Sequence, residues 1–358
     1  MAGTFTRTAA DRGLAQIRHV APVRQAAARD FVAEVYAHVE RDFGMLAPPV
    51  ALHSPAPGPL AASWVMLRET LVAAGAVRRA AKEAVAAAVS LGNSCPYCVD
   101  VHSATLHGVV RGRDALAIAG DRIDSVADRE VRAAAAWARV SGRRETAARH
   151  GPPGSAEQLP ELVGVAVAFQ YFNRMVHVFL PDSPIPAVVP AAARGGFWRL
   201  LGRFMWPAAR RSHEPGRSLE LLPAAPLPED LTWAAGSHHI AAAFARAVAA
   251  VDAAAVTSVP EPVRDLVLAR LAGWHGAPTG ISRAWVEDAV AGLAAADRPS
   301  GRLALLTAMA SYQVDDLVVD EFRAVRPDDS TLVELTSWAS LAAARRVGTW
   351  LAKAPATT

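Results

Sequence analysis

The sequence predicts an all-α protein, and two features of its 358 residues carry that prediction. Alanine-rich segments that also contain arginine, glutamate and leucine dominate the chain, and these residue types favour helices. Runs of alternating β-branched residues, which would indicate strands, are nearly absent. The composition, 52% hydrophobic and 20% charged, is globular, and the length predicts about two domains, each able to bury its own core.

The first half of the chain contains a series of predicted helices separated by proline and glycine. Pro48-Pro49 and the proline-containing segment 55–59 predict extended connections, and the sequence GPPG at 151–154 predicts a turn. The predicted helices cover 24–43, 58–75, 78–91, 95–111, 113–120, 128–142 and 158–179.

A proline-rich stretch from 181 to 228 interrupts the helices and predicts a linker with one helical island. The island, 195–206, has a broad aromatic face with arginines around it, a pattern that suits a membrane surface or a partner protein. We expect it instead to pack its apolar face across the two halves or at a subunit interface. A second series of helices is predicted over 230–255, 260–274, 281–296, 299–313, 315–324 and 329–352.

The second helical series repeats the order of the first, which indicates a tandem duplication. The aligned positions are Val77 with Val263, Asp128 with Asp297, and 159–180 with 332–350. We therefore predict four segments: an N-terminal helical extension (1–57), a helical domain (58–180), the linker (181–230) and a degenerate second copy of the domain (231–358).

Charge and hydropathy patterns exclude several classes of function. The 37 basic and 34 acidic residues leave a net charge of +3 without a concentrated basic run, so nucleic-acid binding is not expected. The N-terminal segment lacks the apolar centre of a secretory signal, and no segment reaches about 18 uninterrupted apolar residues. A cytoplasmic protein is expected, and membrane contact is disfavoured.

Both cysteines of the chain, Cys95 and Cys98, lie in the sequence NSCPYCVDVH. In a reducing cytosol such a close pair indicates catalysis, redox sensing or metal binding more than a structural disulfide. Gly92-Asn93 predicts the end of one helix, and Pro96 suits the first turn of the next. The pair is thus predicted at a helix N-terminus, where backbone N–H groups favour a thiolate.

His102 and Glu83 add two titratable groups to the cysteine pair. His102 lies one turn beyond Cys98, so it shares a helix face with both cysteines. Glu83 lies twelve residues before Cys95 and would fold back towards the cysteines if the two helices form an antiparallel hairpin. A buried carboxylate with a raised pKa would make a usable proton acceptor.

The pattern E-x11-C-x-x-C-x3-H resembles the signature of the AhpD-like alkylhydroperoxidase group of the carboxymuconolactone decarboxylase superfamily. Domains of that group also commonly carry an Asn-Arg pair on a late helix, matched here by Asn173 and Arg174. The resemblance covers 58–180 and implies an all-α, AhpD-like helical bundle, with 231–352 as a degenerate second copy. The positions of that copy opposite Glu83, Cys95, Cys98 and His102 are Ala269, Ile281, Ala284 and Asp288.

The resemblance also implies roles for individual residues. Cys98 would attack a hydroperoxide and become a sulfenic acid, and Cys95 would resolve it to a disulfide and exchange with an external thiol reductant protein. Glu83 and His102 would relay the proton. Tyr97 stands where the best-known members have histidine. The implied substrate is a hydroperoxide or a disulfide, the implied assembly is a homo-oligomer, and no cofactor or metal is expected.

Other interpretations of the cysteine pair stay open. CPYC is also the glutaredoxin tetrapeptide, but that fold requires a βαβ setting. A zinc site could recruit Cys95, Cys98, His102 and His107, although no second pair of ligands follows. The cysteines could be buried as small hydrophobic residues. They could also serve a redox sensor or an interaction protein that uses the same pair without turnover. Lactone decarboxylation is disfavoured because that branch does not use a C-x-x-C pair, and Asn173-Arg174 could equally anchor two helices.

Overall fold

The computed structural model describes residues 13–110, 112–185 and 210–351, and over these ranges it is helical, with one isolated bridge between Ala73 and His213. The predicted all-α fold is confirmed. The island predicted at 195–206 lies outside the described residues. The longer helices are α1 (Asp30–Phe43), α2 (Pro57–Leu67), α3 (Arg79–Gly92), α4 (Pro96–Val109), α5 (Gly112–Ala119), α6 (Arg129–Val140), α7 (Leu159–Phe179), α8 (His238–Ser258), α9 (Glu261–Gly273), α10 (Ala284–Val290), α11 (Arg298–Ala310), α12 (Asp316–Val325) and α13 (Asp329–Leu351).

Proline residues begin helices in two places where we expected extended chain. Pro48 opens the short helix Pro48–Ala51, and Pro57 opens α2. The expectation was wrong because proline has no N–H to lose at the first helical position, and its fixed φ already suits a helix. The helix predicted over 281–296 is also shorter than expected: α10 ends at Val290, two residues before Gly292.

Helices α7 and α13, two of the three longest among the described residues, pack along each other in the centre of the molecule. Two helices, α7 and α8, are long and apolar enough to cross a membrane by length and composition alone. In α7 the apolar window is 94% buried inside the protein, whereas in α8 it is 44% buried. The surroundings of α7 are therefore those of a core helix.

Helices α3 and α4 form the antiparallel hairpin that carries the cysteine sequence. Helix α3 packs against α4, α6 and α7, and its residues from 80 to 90 are all buried. Helix α9 packs on α11 and α13, just as α3 packs on α6 and α7. These corresponding contacts agree with a tandem duplication; the duplication and the four-segment division of the chain remain predictions.

Candidate active site

A tight turn between α3 and α4 positions the two cysteines. Helix α3 ends at Gly92, and Ser94 adopts a left-handed conformation with φ of 56°. The N–H of Cys95 then donates to the Ser90 carbonyl at 2.9 Å. Gly92 is required because a Cβ there would lie 2.8 Å from the Arg139 carbonyl oxygen. Pro96 is the first residue of α4, as predicted, and Cys95 occupies the N-cap position without a side-chain capping hydrogen bond.

Both cysteines are free thiols in the protein interior. Cys95 is 1% exposed and Cys98 is 3% exposed. Burial raises the pKa of the Cys95 thiol well above its ordinary value, and a hydrogen bond with Cys98 raises it further. Cys95 is therefore a neutral thiol at neutral pH.

Glu83 is completely buried in α3, where it accepts hydrogen bonds from two side chains. His102 Nδ1 lies 2.7 Å from one carboxylate oxygen, and the guanidinium of Arg79 lies 2.6 Å from the other. Burial alone would raise the pKa of the Glu83 carboxyl, but the charge of Arg79 and the hydrogen bond from His102 hold it below its usual value. The expected raised pKa is wrong because Arg79, one turn earlier on α3, supplies a positive charge.

His102 is held by α4 against the Glu83 carboxylate. An ionised carboxylate can only accept hydrogen bonds, so Nδ1 carries a proton and Nε2 is the acceptor of the neutral ring. The edge of the ring packs on Phe169 with centroids 4.5 Å apart. The hairpin thus brings together a carboxylate, an imidazole and, one helical turn away, the Cys98 thiol.

Tyr97 lies between the two cysteines in sequence and is also buried, with 3% exposure. Burial is the main cause that raises the pKa of its phenol, and the neighbouring Cys98 and Cys95 add to it. Tyr97 therefore remains protonated at neutral pH and cannot act there as a base.

A comparison with curated proteins finds a Mycobacterium tuberculosis protein named "Alkyl hydroperoxide reductase" that is 38% identical over 338 residues. The match spans 94% of this chain and 96% of that protein. The chain belongs to the AhpD-like alkylhydroperoxidase family. A comparison with family models found no match, and one with solved structures found no significant match.

Asn173 and Arg174, the Asn-Arg pair that resembles the AhpD-like family, make contacts in two different parts of the structure. Asn173 donates to Ser90 Oγ at 3.0 Å and accepts from the Asn93 side-chain amide at 2.8 Å. It therefore fastens the cysteine-bearing turn to α7. Arg174 points elsewhere and donates to carbonyl oxygens of Gln170 and Ala308, so it lies outside the cluster of Glu83, His102 and the cysteines.

His177 is a site residue of this AhpD-like protein to which sequence reasoning assigned no role. Its imidazole is a neighbour of the Cys95 thiol and opposes the rise in the Cys95 pKa. Nε2 lies 3.2 Å from the Ser94 carbonyl oxygen, and Nδ1 lies 2.8 Å from Ser311 Oγ. The only signal in the sequence was its position one turn beyond Asn173 on α7.

Within residues 13–110, 112–185 and 210–351, no group of three or more His, Cys, Asp or Glu side chains could hold a metal ion. His107, considered as a zinc ligand, packs over the backbone of Gly112 near the end of α4.

Proposed function

We propose that the protein is a thiol-dependent alkyl hydroperoxide reductase that acts through Cys98 and Cys95. The observation that carries the proposal is the 2.7 Å hydrogen bond between buried Glu83 and His102, one helical turn from Cys98. A cysteine, a histidine and an orienting carboxylate are the usual parts of an activated thiol nucleophile. The name of the Mycobacterium tuberculosis relative supports the same substrate class.

In the first step, His102 Nε2 takes the proton of the Cys98 thiol, and the thiolate sulfur attacks the distal oxygen of the hydroperoxide. The O–O bond breaks, Cys98 becomes a sulfenic acid, and the proton on His102 goes to the departing alkoxide to give the alcohol. Glu83 keeps Nδ1 protonated and stabilises the imidazolium. Acid–base work falls to His102, because Tyr97 stays protonated and the pKa of Glu83 is lowered.

In the second step, the Cys95 sulfur attacks the sulfenic sulfur of Cys98. The S–S bond forms, and the departing hydroxide takes the Cys95 proton to leave as water. Because burial raises the pKa of Cys95, its thiol still carries a proton when the attack begins. His177 is the neighbouring imidazole that would pass this proton to the departing hydroxide. An external thiol reductant protein then supplies two electrons, is oxidised to its own disulfide, and restores both thiols.

The proposal is tested by peroxide consumption with cumene hydroperoxide and dithiothreitol. The wild-type protein should turn over, and Cys98→Ser should reduce the rate to the uncatalysed background. In the absence of dithiothreitol, Cys95→Ser should consume about one equivalent of peroxide and keep Cys98 as a sulfenic acid, because the protein then offers no partner thiol. Ala284→Ser, at the opposite position of the second half, serves as the matched control and should keep the wild-type rate.

A redox sensor using the same cysteines is the second candidate. The low exposure of both thiols favours it, since access by a bulky reductant would be slow. A sensor would be oxidised once per molecule without turnover. Wild-type protein that consumes one equivalent of several hydroperoxides, and no more with several dithiols, would replace the reductase proposal with the sensor.

A further inference from the structure

A cavity of about 570 Å³ lies between the two halves of the molecule. Its walls come from the α3–α4 turn, the ends of α6 and α7, the loop that follows α9 and the end of α11. This volume is within the usual range of small-molecule sites, roughly 300–1,000 Å³. None of Glu83, Cys98 or His102 lines it, whereas His177, which the proposed second step places beside Cys95, does.

Arg174 lines this cavity and is a buried charge without a counter-ion. It is 7% exposed, and its Nε and Nη1 donate to neutral oxygens of Ala308 and Gln170 at 2.6–2.9 Å. Over the described ranges it forms no ion pair, and its Nη2 has no acceptor. Burial lowers the pKa of Arg174 to about 10, so it is still positively charged at neutral pH. A buried charge in this state is costly unless an anion pairs with it.

The charged side chains in the rest of the cavity wall are positive, like Arg174. No aspartate or glutamate lines it among the described residues, whereas Arg139 and Arg143 do. Arg139 is engaged by Asp121 at 2.9 Å, and Arg143 is exposed at the rim. Anions are therefore favoured over neutral and cationic ligands.

The cavity also has an apolar surface next to Arg174. The Trp274 ring lies 5.8 Å from the centre of the guanidinium, and Met309 and Val89 line the same space. A ligand with a singly charged carboxylate head and a short apolar body would satisfy both parts of the wall, because a carboxylate oxygen can accept a charge-assisted hydrogen bond from Nη2 of Arg174.

We propose that this cavity is a binding site for small amphipathic carboxylates, with the carboxylate on Arg174 Nη2 and the apolar body along Trp274. His177 lines the cavity and also contacts Ser94, the residue before Cys95, so a bound ligand would lie one side chain away from the cysteine-bearing turn. The site is defined by binding alone and goes beyond the proposed peroxide chemistry.

Titration calorimetry of the full-length protein with octanoate tests the proposal, with octan-1-ol as the uncharged match. Octanoate should bind saturably at one site per chain, and octan-1-ol at least about tenfold more weakly, since hydrogen bonds to a charged acceptor are stronger than those to a neutral one. Arg174→Met should abolish the preference for octanoate, and Arg174→Lys should retain part of it.

A second variant keeps the test decisive if Arg174→Met does not fold. Ala277→Trp, on the exposed loop that lines the cavity, should block octanoate binding while leaving the hydrogen bonds of Arg174 intact. Ala269→Trp, exposed on α9 and away from the cavity, is its matched control and should bind normally. Cys98→Ser should also bind with wild-type affinity, which separates this site from peroxide turnover. Equal affinities for octanoate and octan-1-ol, or undiminished binding to Ala277→Trp, would overturn the proposal.

Discussion

The α3–α4 hairpin and the α9–α10 segment occupy opposite positions in the predicted duplication, and they differ in how much protein covers them. Every residue of α3 from 80 to 90 is buried, whereas α9 buries only Val263, Val267 and Leu271. Helix α4 packs along α3, but α10 packs mainly on α11. The positions opposite Glu83 and His102 are therefore exposed and belong to helices that do not form a comparable pair.

This difference shows what the candidate site requires of the fold. The hydrogen bonds of Glu83 are shielded from water by α6 and α7, and shielding strengthens an electrostatic contact. At the protein surface, an ion pair between a glutamate and a histidine would add little to the free energy of unfolding. The second segment thus lacks the covering layer as well as the residues, and restoring the residues alone should not restore a site.

The largest effect is expected when the buried carboxylate is removed. Glu83→Ala leaves Arg79 and His102 without their buried partner and should lower the free energy of unfolding by roughly 3–5 kcal/mol. Asp288→Ala, at the exposed position opposite His102, should change it by less than about 0.5 kcal/mol. Urea denaturation of both variants at pH 7 measures the two free energies of unfolding. Similar decreases in the two variants would show that the buried and the exposed position do not differ.

The stabilisation that the Glu83 carboxylate provides should depend on pH. The pKa of Glu83 is lower in the folded protein than the ordinary value of about 4.3, so its stabilisation is fully present above that pH. It is lost as the pH falls through the folded-state pKa. The stability difference between wild type and Glu83→Gln should therefore shrink with acidification below about pH 4.3.

A second contrast concerns thiol ionisation. In Cys98→Ser protein, the iodoacetamide labelling rate of Cys95 should still rise about tenfold per pH unit at pH 9, because burial keeps its pKa above that of a free thiol. In Cys95→Ser/Cys98→Ser protein carrying Ala284→Cys, the new thiol is exposed, so its labelling rate should level off near the ordinary pKa of about 8.5. A plateau near pH 8.5 for both thiols would mean that Cys95 is not desolvated.

The smallest effect is expected from restoring the carboxylate in the second half. Ala269→Glu places a glutamate opposite Glu83 on an exposed face, where it is solvated. The free energy of unfolding should change by less than about 0.5 kcal/mol. A larger change in urea denaturation would show that α9 is better covered than its exposure indicates.

Local spacing made much of the site predictable. Helix periodicity placed Cys95, Cys98 and His102 on one face, and the short Gly92-Asn93 turn made the return of Glu83 across the hairpin a reasonable expectation. These relations depend on contacts within about 20 residues of sequence.

The remaining parts of the site depend on contacts that spacing does not encode. His177 reaches the cysteine turn from 83 residues away, through the way α7 packs on α3. The direction of the Glu83 pKa shift depended on the balance between burial and the charge of Arg79, which requires the burial to be known. The sequence left Arg174 either as part of the site or as an anchor between helices, and its Nε donates to the Ala308 carbonyl in the other half, 134 residues away.

The pairing of α7 with α13 has a consequence for biosynthesis. Helix α7 leaves the ribosome about 150 residues before α13, which covers one of its flanks. At the usual elongation rate of roughly 5–20 residues per second, that flank stays uncovered for about 8–30 s. Such an apolar helix is a natural binding site for a chaperone during this interval, and shortening the chain from its C-terminus would prolong the exposure indefinitely. Helix α13 thus completes the core behind a site encoded more than 220 residues earlier.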